Sequence, residues 1–380
     1  MLALLVPLTA RWLVLARRFR AEARRMPTLQ PTAWGDPASP VSSGHRPAPH
    51  VTVVLPARNE EATLAACLAC LLAQQYPAFD VVVVDDRSDD ATATILAATP
   101  GITWVAGQAL PAGWVGKSWA NWQGVHQARG EWLLFTDADT WHHPQALATA
   151  MGIALEQPEG LLTLSPLLVC GSFWERVVQP AVAFLMSELY PLAWREDPAR
   201  PHALANGQYL LVRRGAYDAV GGHAAIAGAV VDDVTFAMLF KALGRPVRYM
   251  VGKQLLHVRM YADLGALWRG WRKGFVAPSA GPIWHLYLGS ALQWTAESIL
   301  PWLLLPFCRG WALAACLAVL TLTLAARQAK LRSYVELAPW WHLAHPLGVA
   351  VFTGLMLDAL WLSARGRGAE WRGRTYARPS

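Results

Sequence analysis

From Val51 to Glu60 the chain reads VTVVLPARNE, from Val81 to Asp90 VVVVDDRSDD, and from Trp132 to Asp139 WLLFTDAD. Each begins as a short run of β-branched or aromatic residues without polar alternation, the pattern of a strand buried on both faces, and each breaks into polar residues at its carboxyl end. Ile102 to Val105 reads as a fourth such run. Between the runs lie Glu61 to Gln74, Ala91 to Ala98 and Ser118 to Ala128, which have helical length and composition. Strict alternation of strand and helix predicts an α/β fold whose mostly parallel sheet carries helices on both faces. Ligands of such a sheet sit beyond the carboxyl ends of its strands, so the polar residues after each run are the ones to read.

The rest of the chain frames this core. Its 380 residues include 33 Lys+Arg and 26 Asp+Glu, a net charge of +7; 54% are hydrophobic, 16% charged, and 20 are tryptophan. So much apolar material excludes a disordered chain, a collagen-like sequence and a disulfide mini-protein. A single soluble core stops growing near about 250–300 residues, and the apolar excess assigns the remainder to a membrane, where tryptophan collects at the interface. A tryptophan-rich soluble core is the alternative. The five cysteines, Cys67, Cys70, Cys170, Cys308 and Cys316, are scattered, which indicates a reducing compartment rather than a disulfide framework.

Leu2 to Ala16 holds only Arg11 as a charge and is followed by Arg17, Arg18, Arg20, Arg24 and Arg25, the pattern of an uncleaved anchor with its arginines in the cytoplasm. The expected organisation is an anchor over 1–20, a basic, Pro-rich linker over 21–50, a catalytic domain over 51–275, transmembrane helices over 284–363 and a basic tail over 364–380. Trp284 to Phe307, Trp311 to Ala326 and Pro346 to Ser363 are the expected spans. Three crossings would leave Arg365, Arg367, Arg372 and Arg374 outside, against the positive-inside rule. Either one segment is re-entrant or interfacial, or Trp340 to His345 adds a partial crossing. Phe173 to Trp194, apolar but carrying Glu175, Arg176 and Glu188 and interrupted by Pro180 and Pro191, is expected to lie on the membrane surface as an amphipathic helix near 173–194, with an ordinary core helix as the alternative.

Three acidic clusters carry the chemistry. Asp137 and Asp139, one residue apart after a strand, can hold a hard divalent cation together with phosphate oxygens; a solvated turn would carry the same pair. Asp85 and Asp86 follow the second strand. Asp232 and Asp233 precede a helix-like stretch, where they either cap the helix or supply a general base. Gly113-Trp114-Val115-Gly116-Lys117-Ser118 imitates a phosphate-binding P-loop, but Pro111 occupies the position of its first glycine. What remains is a glycine turn presenting Lys117 at a helix start, suited to a diphosphate, or simply a solvated lysine. Cys67-Leu68-Ala69-Cys70 falls inside a predicted helix and reads as core, and His142-His143 as a solvent-facing loop.

In order, Val53 to Glu60, Val84-Asp85-Asp86-Arg87-Ser88, the Gly-Lys turn, Asp137-Ala138-Asp139 and Asp232-Asp233 resemble the family 2 glycosyltransferases of the GT-A fold, over roughly Val51 to Gly274. Gly113 to Lys117, Asn206-Gly207-Gln208-Tyr209, Gly221-Gly222-His223, Arg259-Met260-Tyr261 and Trp371-Arg372-Gly373-Arg374-Thr375-Tyr376 look like the membrane-anchored branch that includes hopene-associated and carotenoid-acid glycosyltransferases. The resemblance implies that Pro56, Ala57, Glu60, Asp85 and Asp86 face the donor nucleotide and that Lys117 lies near its diphosphate. It implies that Asp139 binds Mg²⁺ or Mn²⁺ with Asp137 beside it and the ribose, that His257 is a candidate third ligand, and that Asp233 is the catalytic base. The family's Glu-Asp pair is here Asp232-Asp233, which leaves open which of the two acts. The Gln-x-x-Arg-Trp motif of processive members is absent from Trp268 to Lys273, where Arg272 or Lys273 either meets the diphosphate or snorkels at the membrane.

The implied function is an inverting, metal-dependent, non-processive transfer of one sugar from a nucleotide-sugar donor of the UDP-glucose type to a polyisoprenoid, carotenoid or hopanoid lipid. It would take place on a multi-pass protein of the cytoplasmic membrane whose catalytic domain is cytoplasmic, with no nucleic-acid partner. A processive polysaccharide synthase and a non-catalytic membrane scaffold are the rivals.

Overall fold

The computed structural model describes residues 2–26, 28–36, 47–190, 203–276, 284–365, 369–371 and 374–376. Much of the expected linker (37–46), the Pro191 to Trp194 end of the expected surface helix, and Arg367 and Arg372 of the tail lie outside them. The strands are β1 (Val51–Ala57), β2 (Phe79–Asp85), β3 (Thr103–Ala106), β4 (Trp132–Phe135), β5 (Thr140–His142), β6 (Leu161–Ser165), β7 (Leu167–Leu168), β8 (Leu210–Arg213), β9 (Val247–Val251) and β10 (Leu256–Val258). The helices they alternate with are α2 (Leu64–Leu72), α3 (Thr92–Ala98), α4 (Gly116–Gln127), α5 (Ala146–Ala154), α6 (Phe173–Leu189), α7 (Arg214–Ala219), α8 (Asp232–Ala242) and α9 (Leu264–Val276), after an N-terminal α1 (Leu2–Arg25).

Seven strands form one sheet in the order β3-β2-β1-β4-β8-β6-β9. β8 alone runs antiparallel to its neighbours β4 and β6; the other pairings are parallel. The reason is visible along β1, where alternate residues enter different cores. Val51, Val53 and Leu55 pack with α2 and α5 on one face, while Val54 packs with α4, α7 and α8 on the other. Both faces are therefore covered, and uninterrupted valine runs are stable only there. β3 departs from this expectation. It is the edge strand of the sheet, with Thr103, Trp104 and Ala106 exposed, and among the described residues no strand pairs beyond it.

A second core is helical. It joins α1, α6 and α9 to α10 (Trp284–Leu304), α11 (Gly310–Leu331) and α12 (His345–Ala364). In α1, Leu5, Leu8, Trp12, Leu15 and Phe19 recur at three- and four-residue spacing and face the other helices. Leu2, Leu4, Val6, Leu13 and Val14 lie on its outer side, 41–64% exposed. Charges fasten the bundle: Arg11 to Glu297 of α10 at 2.9 Å, Arg18 to Glu188 of α6 at 2.6 Å, and Glu22 to Lys330 of α11. Among the described residues, Gly310–Leu331 and Pro339–Ala364 are long and apolar enough to cross a membrane. The other two expected segments form the helices α1 and α10.

α6 differs from the surface helix expected of it. It runs unbroken through Pro180, and Val177, Val178, Ala181, Val182, Phe184 and Leu185 are each no more than 3% exposed, because α12, α1 and α10 cover them. Phe173, at its start, is exposed.

Candidate active site

Parallel pairing aligns Ala57 at the end of β1 with Asp85 at the end of β2, so the two loops that follow lie side by side. They brace each other. The Asn59 amide donates to Ser88 Oγ (3.0 Å), the Asp89 amide to Asn59 Oδ1 (2.9 Å), the Glu60 amide to Thr92 Oγ1 (2.9 Å), and Arg58 Nη1 to the carbonyls of Asp86 (2.6 Å) and Arg87 (2.7 Å). At the end of β4 the Thr136 hydroxyl donates to the Gln208 carbonyl at 2.8 Å, which ties the Asp137-Ala138-Asp139 turn to the loop entering β8. Gly113 sits at φ +83°, a conformation open to glycine, and its turn delivers Lys117 into the first turn of α4.

These strand ends enclose a cleft of about 270 Å³. Its lining includes Pro56, Ala57, Arg58, Glu60 and Asp86 from the ends of β1 and β2, Lys117, Asp137 and Asp139, and Gln208, Asp232 and Asp233. Met260, Tyr261, Trp271 and Lys273 close it from α9 and the segment before it. Lys117 Nζ lies 2.7 Å from Asp137 Oδ1 and 3.6 Å from Asp232 Oδ2. Gly207 makes this convergence possible: a β-carbon there would sit 2.7 Å from Lys117 Nζ, 3.4 Å from Asp233 Oδ2 and 3.5 Å from Asp137 Oδ2.

The charges in the cleft are separated by their neighbours. Burial pushes Asp232 up, but Lys117, His223 and Lys273 outweigh it and hold the carboxyl below its ordinary value. Asp233 is raised to about 6 by burial and by Asp232 beside it, although its oxygens accept the Gly207 and Val234 amides, both at 2.8 Å. Asp139 is raised to about 7 by burial, Asp137 and Glu60. Lys117, only partly buried, is held well above its usual value by Asp137, Asp232 and Asp233. The two adjacent carboxyls are thus driven apart, Asp232 lowered and Asp233 raised, while Lys117 has Asp137 as its nearest partner and Asp232 as its second.

Asp139 makes no ion pair among the described residues, and after burial the neighbouring carboxylates Asp137 and Glu60 add to its upward shift, a charge that a divalent cation would offset. No group of three His, Cys, Asp or Glu residues suited to a metal occurs among the described residues. Two carboxylates fit a hard cation that takes most of its oxygens from a bound phosphate; they do not make a protein-only cage.

Most of the expected residues meet in this cleft, with two exceptions. His257, on β10 opposite Trp141, is exposed and is not among the residues lining the cleft. Asp85 turns away as well: its Oδ1 accepts the Ser88 amide and hydroxyl at 3.0 and 2.6 Å and shapes the loop instead of facing the cavity. His142, expected in a solvent-facing loop, is buried on β5 with Nε2 3.0 Å from the Thr136 hydroxyl, and burial lowers it to about 3. It is a neutral buttress behind the Asp-x-Asp turn. Of the two basic residues near the missing processive motif, Lys273 lines the cleft, whereas Arg272 reaches Asp358 of α12 at 3.1 Å. Arg58, Gly207 and Tyr261 stood inside quoted motifs without a role. Their signal was position in the motif, which carries no geometry.

The fold and its cleft define a GT-A-type α/β enzyme. Residues 52–202 match the model of Glycosyl transferase family 2, and the chain is a glycosyltransferase. It is similar to 4,4'-diaponeurosporenoate glycosyltransferase of Staphylococcus aureus, 27% identical over 350 residues that cover 86% of this chain and 88% of the relative. Among solved structures it is similar to the mannosyltransferase PcManGT from Pyrobaculum calidifontis in complex with GDP-Man and Mn²⁺, with TM-score 0.47, 20% identity and coverage of 96% and 97%. It is also similar to S. aureus TarS 1-349 in complex with UDP-GlcNAc, with TM-score 0.42, 17% identity and coverage of 82% and 92%.

Proposed function

We propose that this enzyme moves one sugar, with inversion, from a nucleotide-sugar donor to a lipid acceptor at the cytoplasmic face of the membrane. One observation carries the reading. The cleft that gathers Asp86, Lys117, Asp137, Asp139 and Asp233 is closed by Tyr261 and Trp271, and α9, which bears Trp271, packs along α12 within Pro339–Ala364. An acceptor with an apolar body thus reaches the polar centre along α9, with the exposed apolar side of α1 and the C-terminal helices seated in the bilayer.

In this reading Asp86 and the Pro56–Glu60 loop receive the nucleoside, and Lys117 and Lys273 face the diphosphate. Asp137 and Asp139 hold Mg²⁺ or Mn²⁺, which when bound supplies positive charge against the departing diphosphate. Asp233 takes the proton of an acceptor hydroxyl that attacks the anomeric carbon from the face opposite the leaving group. A carboxylate acceptor, as the name of the S. aureus relative suggests, brings no proton to remove, and Asp233 then matters less than Asp139.

The test incubates membranes containing the protein with labelled UDP-glucose, Mg²⁺ or Mn²⁺ and extracted polyisoprenoid lipids. Label should enter the organic phase as a singly glycosylated lipid, and Asp139→Asn should stop it. No transfer from any common nucleotide sugar, or full transfer by Asp139→Asn, would sink the proposal; a ladder of products would favour a polysaccharide synthase.

A further inference from the structure

The Trp371–Tyr376 stretch takes no part in the chemistry above, yet it returns to the cleft. It contributes two short antiparallel strands, β11 (Ala369–Trp371) and β12 (Arg374–Tyr376), with Trp371 opposite Arg374 and β11 beside α9. Arg374 Nη1 donates to Asp86 Oδ2 at 2.5 Å and Nη2 to Oδ1 at 3.0 Å, a two-pronged contact across 288 residues of sequence. Asp86 is 4% exposed and lines the cleft, and the Arg374 side chain bonded to it is itself 16% exposed.

We propose that Arg374 is a positioning residue of the donor site, fixing the Asp86 carboxylate in the orientation that receives the donor nucleoside. This rests on the reading of Asp86 as a donor contact. The backbone of Asp86 is already held, its amide by the Ala57 carbonyl at 2.8 Å and its carbonyl by Arg58 at 2.6 Å, which leaves the side-chain torsions as its remaining freedom. A planar fork bonded to both oxygens removes that freedom. A carboxylate has about four lone-pair directions, and one N–H on each oxygen leaves the others for N–H or O–H groups of a nucleoside. Lysine, a point charge on a flexible stem, keeps the charge and loses the fork. β11 also lies against the helix bearing Trp271 and Lys273, so the same C-terminal segment touches Asp86 and the helix that gives the cleft those two residues.

A double-mutant cycle on the full-length, detergent-solubilised protein tests this, with UDP affinity by calorimetry and donor KM, acceptor KM and kcat from transfer assays. Arg374→Ala should weaken UDP binding and raise donor KM about tenfold, with kcat and acceptor KM within about twofold. Arg374→Lys should recover less than half of that loss in logarithmic terms. In the Asp86→Asn background Arg374→Ala should add nothing, because the residue acts through Asp86. An unchanged donor KM in Arg374→Ala, or losses that simply multiply in the double variant, would overturn the role. Should Arg374→Ala fail to fold, Arg374→Lys carries the test, and wild-type donor KM with lysine refutes the need for a fork. Asp86→Asn with undiminished UDP affinity removes the donor reading itself, an outcome distinct from the others.

Discussion

If Asp233 is the base, the rate carries its titration. Below its pKa the carboxyl is protonated and cannot accept the acceptor proton, so activity falls as pH falls. With the group at about 6, roughly nine-tenths is ionised at pH 7 and about one-tenth at pH 5, so kcat/KM toward a hydroxyl acceptor should drop about tenfold between them. The second cause of the elevation is the charge on Asp232. Asp232→Asn should therefore move the acid limb about one unit toward lower pH, while burial keeps the group above an ordinary aspartate. Asp233→Asn should lower the plateau by about 10²–10⁴-fold and abolish the limb. The assay is initial-rate transfer of labelled sugar from pH 5 to 8, at saturating Mn²⁺ so that metal occupancy does not contribute. A limb that survives Asp233→Asn, or that moves toward higher pH in Asp232→Asn, refutes the assignment. A flat profile with only a modest loss in Asp233→Asn identifies a carboxylate acceptor instead.

Three further outcomes are expected. Chelation by EDTA should abolish transfer and Mn²⁺ restore it, and Mn²⁺ with UDP should raise the melting temperature of the wild type but not of Asp139→Asn. Gly207→Ala places a β-carbon 2.7 Å from Lys117 Nζ; the lysine yields, Asp137 loses its close partner, and kcat/KM should fall about tenfold or more with little change in melting temperature, read by transfer assay and calorimetry. Gly348→Val should do the reverse. Its β-carbon would fall 2.1 Å from the Val177 carbonyl oxygen, so α12 must part from α6 at a cost of about 1–3 kcal/mol, visible as a lower melting temperature; an undisturbed melt would mean that the two helices are not packed as described.

What the sequence made legible followed from how far each determinant reaches. The ends of β1, β2 and β4 are local events, a valine or leucine run stopping at a polar residue, which brings Asp85, Asp86, Asp137 and Asp139 to strand ends; only the resemblance separated Asp86 from Asp85. Burial of a run depends on what pairs with it. Ile102 to Val105 is as apolar as an interior strand, yet β3 stands at the edge of the sheet, with no strand pairing beyond it among the described residues. The same holds for α6, where apolar periodicity reports a buried face but cannot distinguish lipid from the flanks of α12 and α1.

The Asp232-Asp233 pair shows the limit most sharply. As neighbours at the start of one helix they are equivalent in sequence, and resemblance could not choose between them. What distinguishes them in the fold is Lys117, on another helix more than a hundred positions away, which lies 3.6 Å from Asp232, while Asp233 accepts the amides of Gly207 and Val234. A residue's role in this cleft is set less by its own motif than by which distant cation reaches it, as Arg374 does for Asp86. The ends of the sheet supply the acids; the glycine turn before α4 and the returning C-terminal hairpin decide what each acid is able to do.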